Sequence, residues 1–219
     1  MLADSILVTS GLPAESVAPA SSSRFPDGAH FRIEIPSVEG PGVLRAVLDE
    51  ANERGVTVNR VSQGSGAMLH STDELHEMSV IGADAGIEIS LFVGPREEWG
   101  VSAMSRAADG GALAGGIRGM RQLRYAVEDV LRAVECGIRG FLVADIGLLK
   151  VLSEAQQRGE IPADTIWKMS VLAAPSNPAT IGVLEGLGAH TINLPTDLTL
   201  AELAEMRAVT DLPLDLYVE

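Results

Sequence analysis

Cysteine is the scarcest reactive residue in this chain: there is one, Cys136, in 219 residues. A single cysteine makes no internal disulfide and holds no iron–sulfur cluster by itself. Its plainest reading is a small buried hydrophobe at a helix end. Basic residues are also few. Sixteen Lys and Arg stand against thirty Asp and Glu, a formal net charge of -14. That balance excludes a broad nucleic-acid surface, which is ordinarily basic, and docking on an anionic membrane. No apolar run approaches the ~20 residues of a membrane-spanning helix. The short apolar stretch Ile6–Val8 has no basic segment before it, unlike a signal peptide, and there is no Asn-x-Ser/Thr glycosylation site. A cytoplasmic protein is expected. Aromatic residues are scarce at 4%, so Trp99 and Trp167 read as packing residues rather than stacking platforms.

What is present is hydrophobic patterning. Apolar residues make up 46% of the chain, enough for one sizeable core. Residues 1–30 read as a tail, with a loop-like Pro19–Asp27, and a single barrel domain is expected over 31–219. From Phe31 onward, short β-like runs alternate with helical ones. Strands are expected at Phe31–Pro36, Val56–Ser62, Ile87–Val93, Gly140–Ile146, Ile166–Ala173, Thr191–Leu194 and Pro213–Glu219. Helical spacing marks Gly42–Arg54, Tyr125–Glu135, Leu148–Arg158, Pro178–Leu187 and Leu200–Val209. Gly55, Gly137 and Gly188 stand where helices close, and Asn177-Pro178 and Asp197-Leu-Thr199 where they open. Repeated βα units imply a parallel sheet with right-handed crossovers. Seven of them, with no Gly-x-Gly-x-x-Gly turn after a strand, predict an α/β TIM-type barrel, incomplete by one unit. The open edge calls for cover from a second subunit, the N-terminal tail or a longer chain.

Strand alternation then assigns faces. Strand one turns Arg32, Glu34 and Pro36 inward, strand three Glu88, Ser90 and Phe92, and strand five Lys168, Ser170 and Leu172. Asp145, Asn193, Asp215 and Glu219 join the inward set, as does Asn59; on strand two the face of Arg60 stays open. Ionised groups in a lumen cost several kcal/mol each unless paired or hydrated, so a polar pocket is expected. The alternative is an internal ion-pair network with a purely structural role. Glu34, Glu88, Asp145 and Lys168 are the catalytic candidates, with Lys168 as base, electrophile or amine. Its carboxylate neighbours disfavour a neutral amine. Glu34, Glu88 and Asp145 are also the carboxylates that would hold a divalent Mg²⁺ or Mn²⁺. A long segment, from Gly94 to about Gln122, leaves the third strand at the barrel's catalytic end, and its Arg96, Arg106, Arg118 and Arg121 suit an anionic substrate.

Other motifs are thin. His70 and His76 are six apart, unlike the i, i+4 pair of a zinc helix, and Gln63-Gly-Ser-Gly66 is not a nucleophile elbow.

The second half resembles a known family. Ile138–Leu149 looks like a strand and glycine turn in which an acidic residue precedes Ile-Gly-Leu. Met169-Ser170 through Asn177, and Leu187-Gly-Ala through Asp197-Leu-Thr-Leu200, follow the same family pattern. These segments resemble the U32 peptidases, also called collagenase-like proteases. Asp215 matches by type an acidic position of the family's last strand, whereas Glu219 stands where the family has His. The resemblance implies a TIM-type barrel and peptide hydrolysis. Some relatives are iron–sulfur proteins, but this sequence has no cysteine set for a cluster. The expectation is a hydrolase of U32 type acting on a small anionic or peptide-like substrate, bound by Arg60, Arg118, Arg121, Ser170, Asn193 and Asp215. Its alternatives are a non-catalytic ligand- or partner-binding barrel and a divalent-metal lyase or isomerase.

Overall fold

The computed structural model describes residues 21–103, 105–108 and 115–218, together with Leu2, Ser5 and Thr9. The chain divides into two compact units, Met1–Phe31 and Arg32–Glu219. In the first, Gly28 N donates to Phe25 O (2.8 Å) to close a turn.

Seven parallel strands form one sheet in sequence order: β1 (Glu34–Ile35), β2 (Arg60–Gln63), β3 (Glu88–Phe92), β4 (Gly140–Val143), β5 (Ile166–Met169), β6 (Thr191–Asn193) and β7 (Leu214–Asp215). Six α-helices among the described residues connect them: α1 (Pro41–Arg54), α2 (Thr72–Ala85), α3 (Gly119–Glu135), α4 (Ile146–Gln157), α5 (Pro178–Gly186) and α6 (Leu200–Ala208). This is the expected incomplete TIM-type barrel. Among the described residues no ladder joins β7 to β1.

The strands are shorter than the sequence suggests, and for a local reason. The ends of three expected strands turn to other work. Asp145 begins a helix cap, Val171–Ala173 winds into a 3₁₀ turn, and residues after Asp215 leave the ladder. Glu219 lies outside the described residues. The helix α2 is not among the expected ones, although its cap was readable. Ser71 Oγ accepts from Glu74 N (3.2 Å) and the Glu74 carboxylate accepts from Ser71 N (2.8 Å), a reciprocal capping box. Gly55 and Gly86, both left-handed, close α1 and α2 as C-caps.

The core lies between sheet and helices. Outward strand residues Val61, Ile89, Leu91, Phe141, Val143, Trp167, Met169 and Ile192 are buried there with Leu75, Met78, Val130, Leu148, Leu152, Ile181 and Leu184 from the helices. Phe141 and Trp167 pack ring on ring with centroids 5.7 Å apart. Each such side chain contributes roughly 1.5–3 kcal/mol on leaving water. Trp167 is fully buried, and its Nε1–H reaches Gln156 Oε1 at 2.7 Å, so its one polar atom is satisfied. The same alternation that fills this layer turns the other face of each strand into the lumen. Among the described residues no helix is long and apolar enough to cross a membrane.

Candidate functional site

Register fixes which lumen residues meet. Glu34, Arg60 and Glu88 stand side by side across β1, β2 and β3. Strand tilt of about 36° raises the equal-height position by about one residue per strand. By that rule Glu34 on β1, Ser90 on β3, Lys168 on β5 and Asp215 on β7 form one layer from alternate strands.

The side chains meet accordingly. Lys168 Nζ donates to both oxygens of Glu34 at 2.7 and 2.6 Å and lies 3.5 Å from Asp215 Oδ2. Arg60 occupies the level below. Its Nη1 reaches Glu34 (3.1 Å) and Asp215 (3.1 Å), and its Nε lies 2.9 Å from Glu88 Oε1. Thr191 Oγ1 donates to Asp215 Oδ2 at 2.7 Å, and Asn193 Nδ2 donates to Tyr217 Oη at 3.0 Å. Gly140 makes room for this arrangement, since a Cβ there would stand 3.1 Å from Glu88 Oε1 and 2.5 Å from Ile89 O.

Three carboxylates therefore share two cations in a largely buried space. The electrostatics divide unevenly. Burial would raise the Glu34 carboxyl, but Lys168, with Ser62 and Arg60, holds it below the ordinary value. Burial raises Glu88, and Arg60 does not compensate fully. Arg60 itself is held more firmly protonated despite its burial, because Glu88, Asp215 and Glu34 surround it. Ser90 Oγ, fully buried on the same face of β3 as Glu88, has no hydrogen-bond partner among the described residues.

The expected site residues divide into those gathered here and those placed elsewhere. Glu34, Glu88, Lys168, Arg60 and Asp215 are in one network. Arg60, on the strand whose facing the sequence left open, points inward and is ion-paired with three carboxylates, although its Nε and Glu88 Oε1 make no aligned hydrogen bond among the described residues. Asp145 is not in the lumen, contrary to expectation. It caps α4, accepting from Leu148 N (2.8 Å), and its other oxygen accepts from Ile117 N (2.9 Å). Alternation explains this, since Phe141 and Val143, with the same parity, lie in the outer core. Asn59 is also structural, accepting from Ile33 N (2.9 Å) to tie β1 to β2. Ser170 caps the short 3₁₀ turn by accepting from Leu172 N (3.2 Å). Arg118 pairs with Glu97 at 3.2 Å with a mostly exposed side chain, and Arg121 is exposed.

The residues suggested for a divalent metal do not fit one. Glu34 is engaged by Lys168, Glu88 by Arg60, and Asp145, beyond the end of β4, by Leu148 N and Ile117 N. No group of three or more His, Cys, Asp or Glu side chains among the described residues could hold a metal ion.

The mouth of the lumen, at the C-terminal ends of β2 and β3, carries a feature that sequence reading passed over. Phe92 is buried but outside the outer core, on the lumen face of β3. The Arg96 guanidinium lies 4.0 Å from its ring centroid and 4.7 Å from that of Trp99. Trp99 nests against two glycines: a Cβ on Gly66 or Gly94 would come within 2.3 Å of the indole. From α3, Asp129 accepts from Gly94 N (3.4 Å), while Arg132 donates to Ala67 O and His70 O (both 2.9 Å). One helix thus fastens the loops that follow β2 and β3.

Fold and lumen define a TIM-barrel-type protein with an ionised interior. Residues 117–219 match the model of Peptidase family U32, so the resemblance read from the sequence holds over the second half of the chain. No curated protein matches the sequence. Among solved structures, the U32 peptidase Mk0906 is similar over 91% of this chain and 73% of its own, at 18% identity and a TM-score of 0.55. The YdjI aldolase from Escherichia coli K12 is similar over 85% of this chain and 66% of its own (16% identity, TM-score 0.56). A 2,3-dimethylmalate lyase is similar over 84% of this chain and 66% of its own (12% identity, TM-score 0.52). At such identities the likeness concerns the fold.

Proposed function

We propose that the protein is a U32-type hydrolase that acts on a small anionic or peptide-like substrate at the C-terminal mouth of its barrel. The observation that carries this reading is the pairing of Lys168 with Glu34 in the lumen, where apolar residues would fill the space at lower cost. In this reading Glu34, ionised and oriented by Lys168, takes a proton from the attacking water. Lys168 then faces the charge that develops on the carbonyl oxygen, and as the C–N bond breaks Glu34 passes its proton to the departing amine. Asp215 and Arg60 hold the pair in place, and Glu88 keeps Arg60 charged and fixed. Asn193 and Tyr217, bonded to each other above this layer, and Ser170 are offered as substrate contacts.

The test is a panel of short peptides and small acids with the wild type and Glu34→Gln. Turnover that falls at least about 100-fold in the variant, with the circular dichroism unchanged, is the expected result. A wild type inactive across the panel overturns the hydrolase reading. It would leave a non-catalytic ligand-binding barrel, the reading favoured by the saturation of Lys168 by two carboxylates. The unladdered edges of β1 and β7 support a homo-oligomer, which light scattering tests, and the single cysteine suits a cytoplasmic setting.

A further inference from the structure

We propose that Arg96 is the anion-reading residue of this barrel, receiving a carboxylate of the substrate at the mouth of the lumen. The proposal rests on the reading above for where the substrate lies and deepens it by naming the group recognised.

Four observations converge on Arg96. Its guanidinium packs against the rings of both Phe92, on the lumen face of β3, and Trp99. Its Nη2 donates to Gly64 O (3.2 Å) just beyond β2, so the group sits over the strand ends and not out in solvent. Its side chain is only 12% exposed, yet its ion-pair partner Glu98 is 53% exposed, with the Nε–Oε2 distance at 3.3 Å. Among the described residues neither Nε nor Nη1 makes a hydrogen bond, and Glu98 faces Nε as an ion pair only. Burial also weakens the hold of this guanidinium on its proton, with Glu98 offsetting part of that effect.

A largely buried guanidinium held against two rings, with Nη1 unbonded among the described residues and Nε facing only an exposed carboxylate, is an incomplete receptor. What completes it is a planar oxyanion meeting the free edge, the geometry that Arg offers a carboxylate. Structural ion pairing does not account for Arg96, since both Arg118 and Arg132 have buried acidic partners and Arg96 does not. The surroundings narrow the ligand. Trp99, against the guanidinium, and Met68, which meets Trp99 around Gly94, are both partly exposed and give the rim apolar surface by this cation. An acid bearing an apolar group, such as a peptide end with a free carboxylate, matches both features; the other mouth arginine, Arg118, is already committed to Glu97.

The test measures binding, not turnover, so it separates from the catalytic reading. N-acetyl-alanyl-alanine, its C-terminal amide, succinate and inorganic phosphate are titrated calorimetrically, with Trp99 emission followed in parallel. The expected result is saturable binding of the free-carboxylate peptide, with a change in emission that disappears in Trp99→Phe. The amide is expected to bind at least about ten-fold more weakly, as is the acid to Arg96→Met, whose side chain still fills the space between the rings. Arg96→Lys, which keeps the charge but loses the fork, falls between. If Arg96→Met does not fold, Arg96→Gln and Arg96→Lys carry the comparison. Equal binding of acid and amide, unchanged affinity in the Arg96 variants, or no binding by the wild type each overturns the assignment. Phosphate binding more tightly than either carboxylate overturns the ligand class. Failure of Glu34→Gln to alter turnover would leave this result standing.

Discussion

Lys168 Nζ and the Glu34 carboxylate meet at 2.6 Å across the barrel lumen, although 134 residues separate them in sequence. Lys168 is almost wholly buried, and its ammonium has only carboxylates for company. Lys168→Met should therefore cost about 3–5 kcal/mol, because it leaves Glu34, Asp215 and Glu88 to share the single cation Arg60. That differs from a lumen wetted enough to make the substitution near neutral. Combining Lys168→Met with Glu34→Leu should restore much of the loss. Urea denaturation of the three variants decides the matter, and a Lys168→Met protein as stable as the wild type would mean the pair is hydrated.

Glu88 has the opposite sign of linkage. Burial raises its folded value above the unfolded one, so its contribution is favourable at a pH below the unfolded value near 4.5 and is lost as pH rises through the folded value. Glu88→Gln, which keeps the shape without the charge, should raise Tm at pH 7 relative to the wild type and leave it nearly unchanged at pH 4. Melting curves at the two pH values check this. A variant less stable at pH 7 would show that the Arg60 contact outweighs burial.

Gly94→Ala should displace Trp99. The added Cβ would lie 2.3 Å from the indole and 2.7 Å from Met68 Sδ, in a backbone conformation that alanine can otherwise adopt. Trp167 is fully buried and distant in the core, so any change in tryptophan emission reports Trp99. A red-shifted emission with a cooperative melt is expected; unchanged emission would mean that the loop yields instead of the ring.

Asp145→Ala should lower stability by about 0.5–2 kcal/mol, the usual range for an N-cap. It removes the acceptor for Leu148 N and for Ile117 N together, so the upper part of that range is expected. Thermal denaturation measures it.

Alternation made much of this legible in the sequence. The charges of β1, β3, β5 and β7 could be turned inward because each strand carries a clear apolar face, as in Ile87, Ile89 and Leu91 opposite Glu88 and Ser90. Strand two lacked that contrast, with Val56, Val58 and Val61 spread over both parities, and only the sheet register settles Arg60. Asp145 was misplaced because the last residue of a strand pattern and the first cap of a helix look alike in sequence. Neither could reading one strand at a time reveal the Arg96 platform. It is assembled from the ends of two strands, a short 3₁₀ turn and two glycines whose lack of a side chain is what admits the indole.

One ion bridge has a mechanical consequence. Arg60 Nη1 touches Glu34 on the first strand and Asp215 on the last, where no described backbone ladder runs. The spacing of that seam is set by side-chain reach and by charge, whereas every other strand junction is set by amide geometry. Salt and acid therefore act on one line of the wall before the rest. Proton–deuterium exchange should show the β1 and β7 amides losing protection first as the pH falls, each rate taken relative to its unfolded-chain value, while β3, β4 and β5 stay protected until the whole domain opens. Between the first and last strands of this incomplete barrel the contact is in this sense an electrostatic clasp.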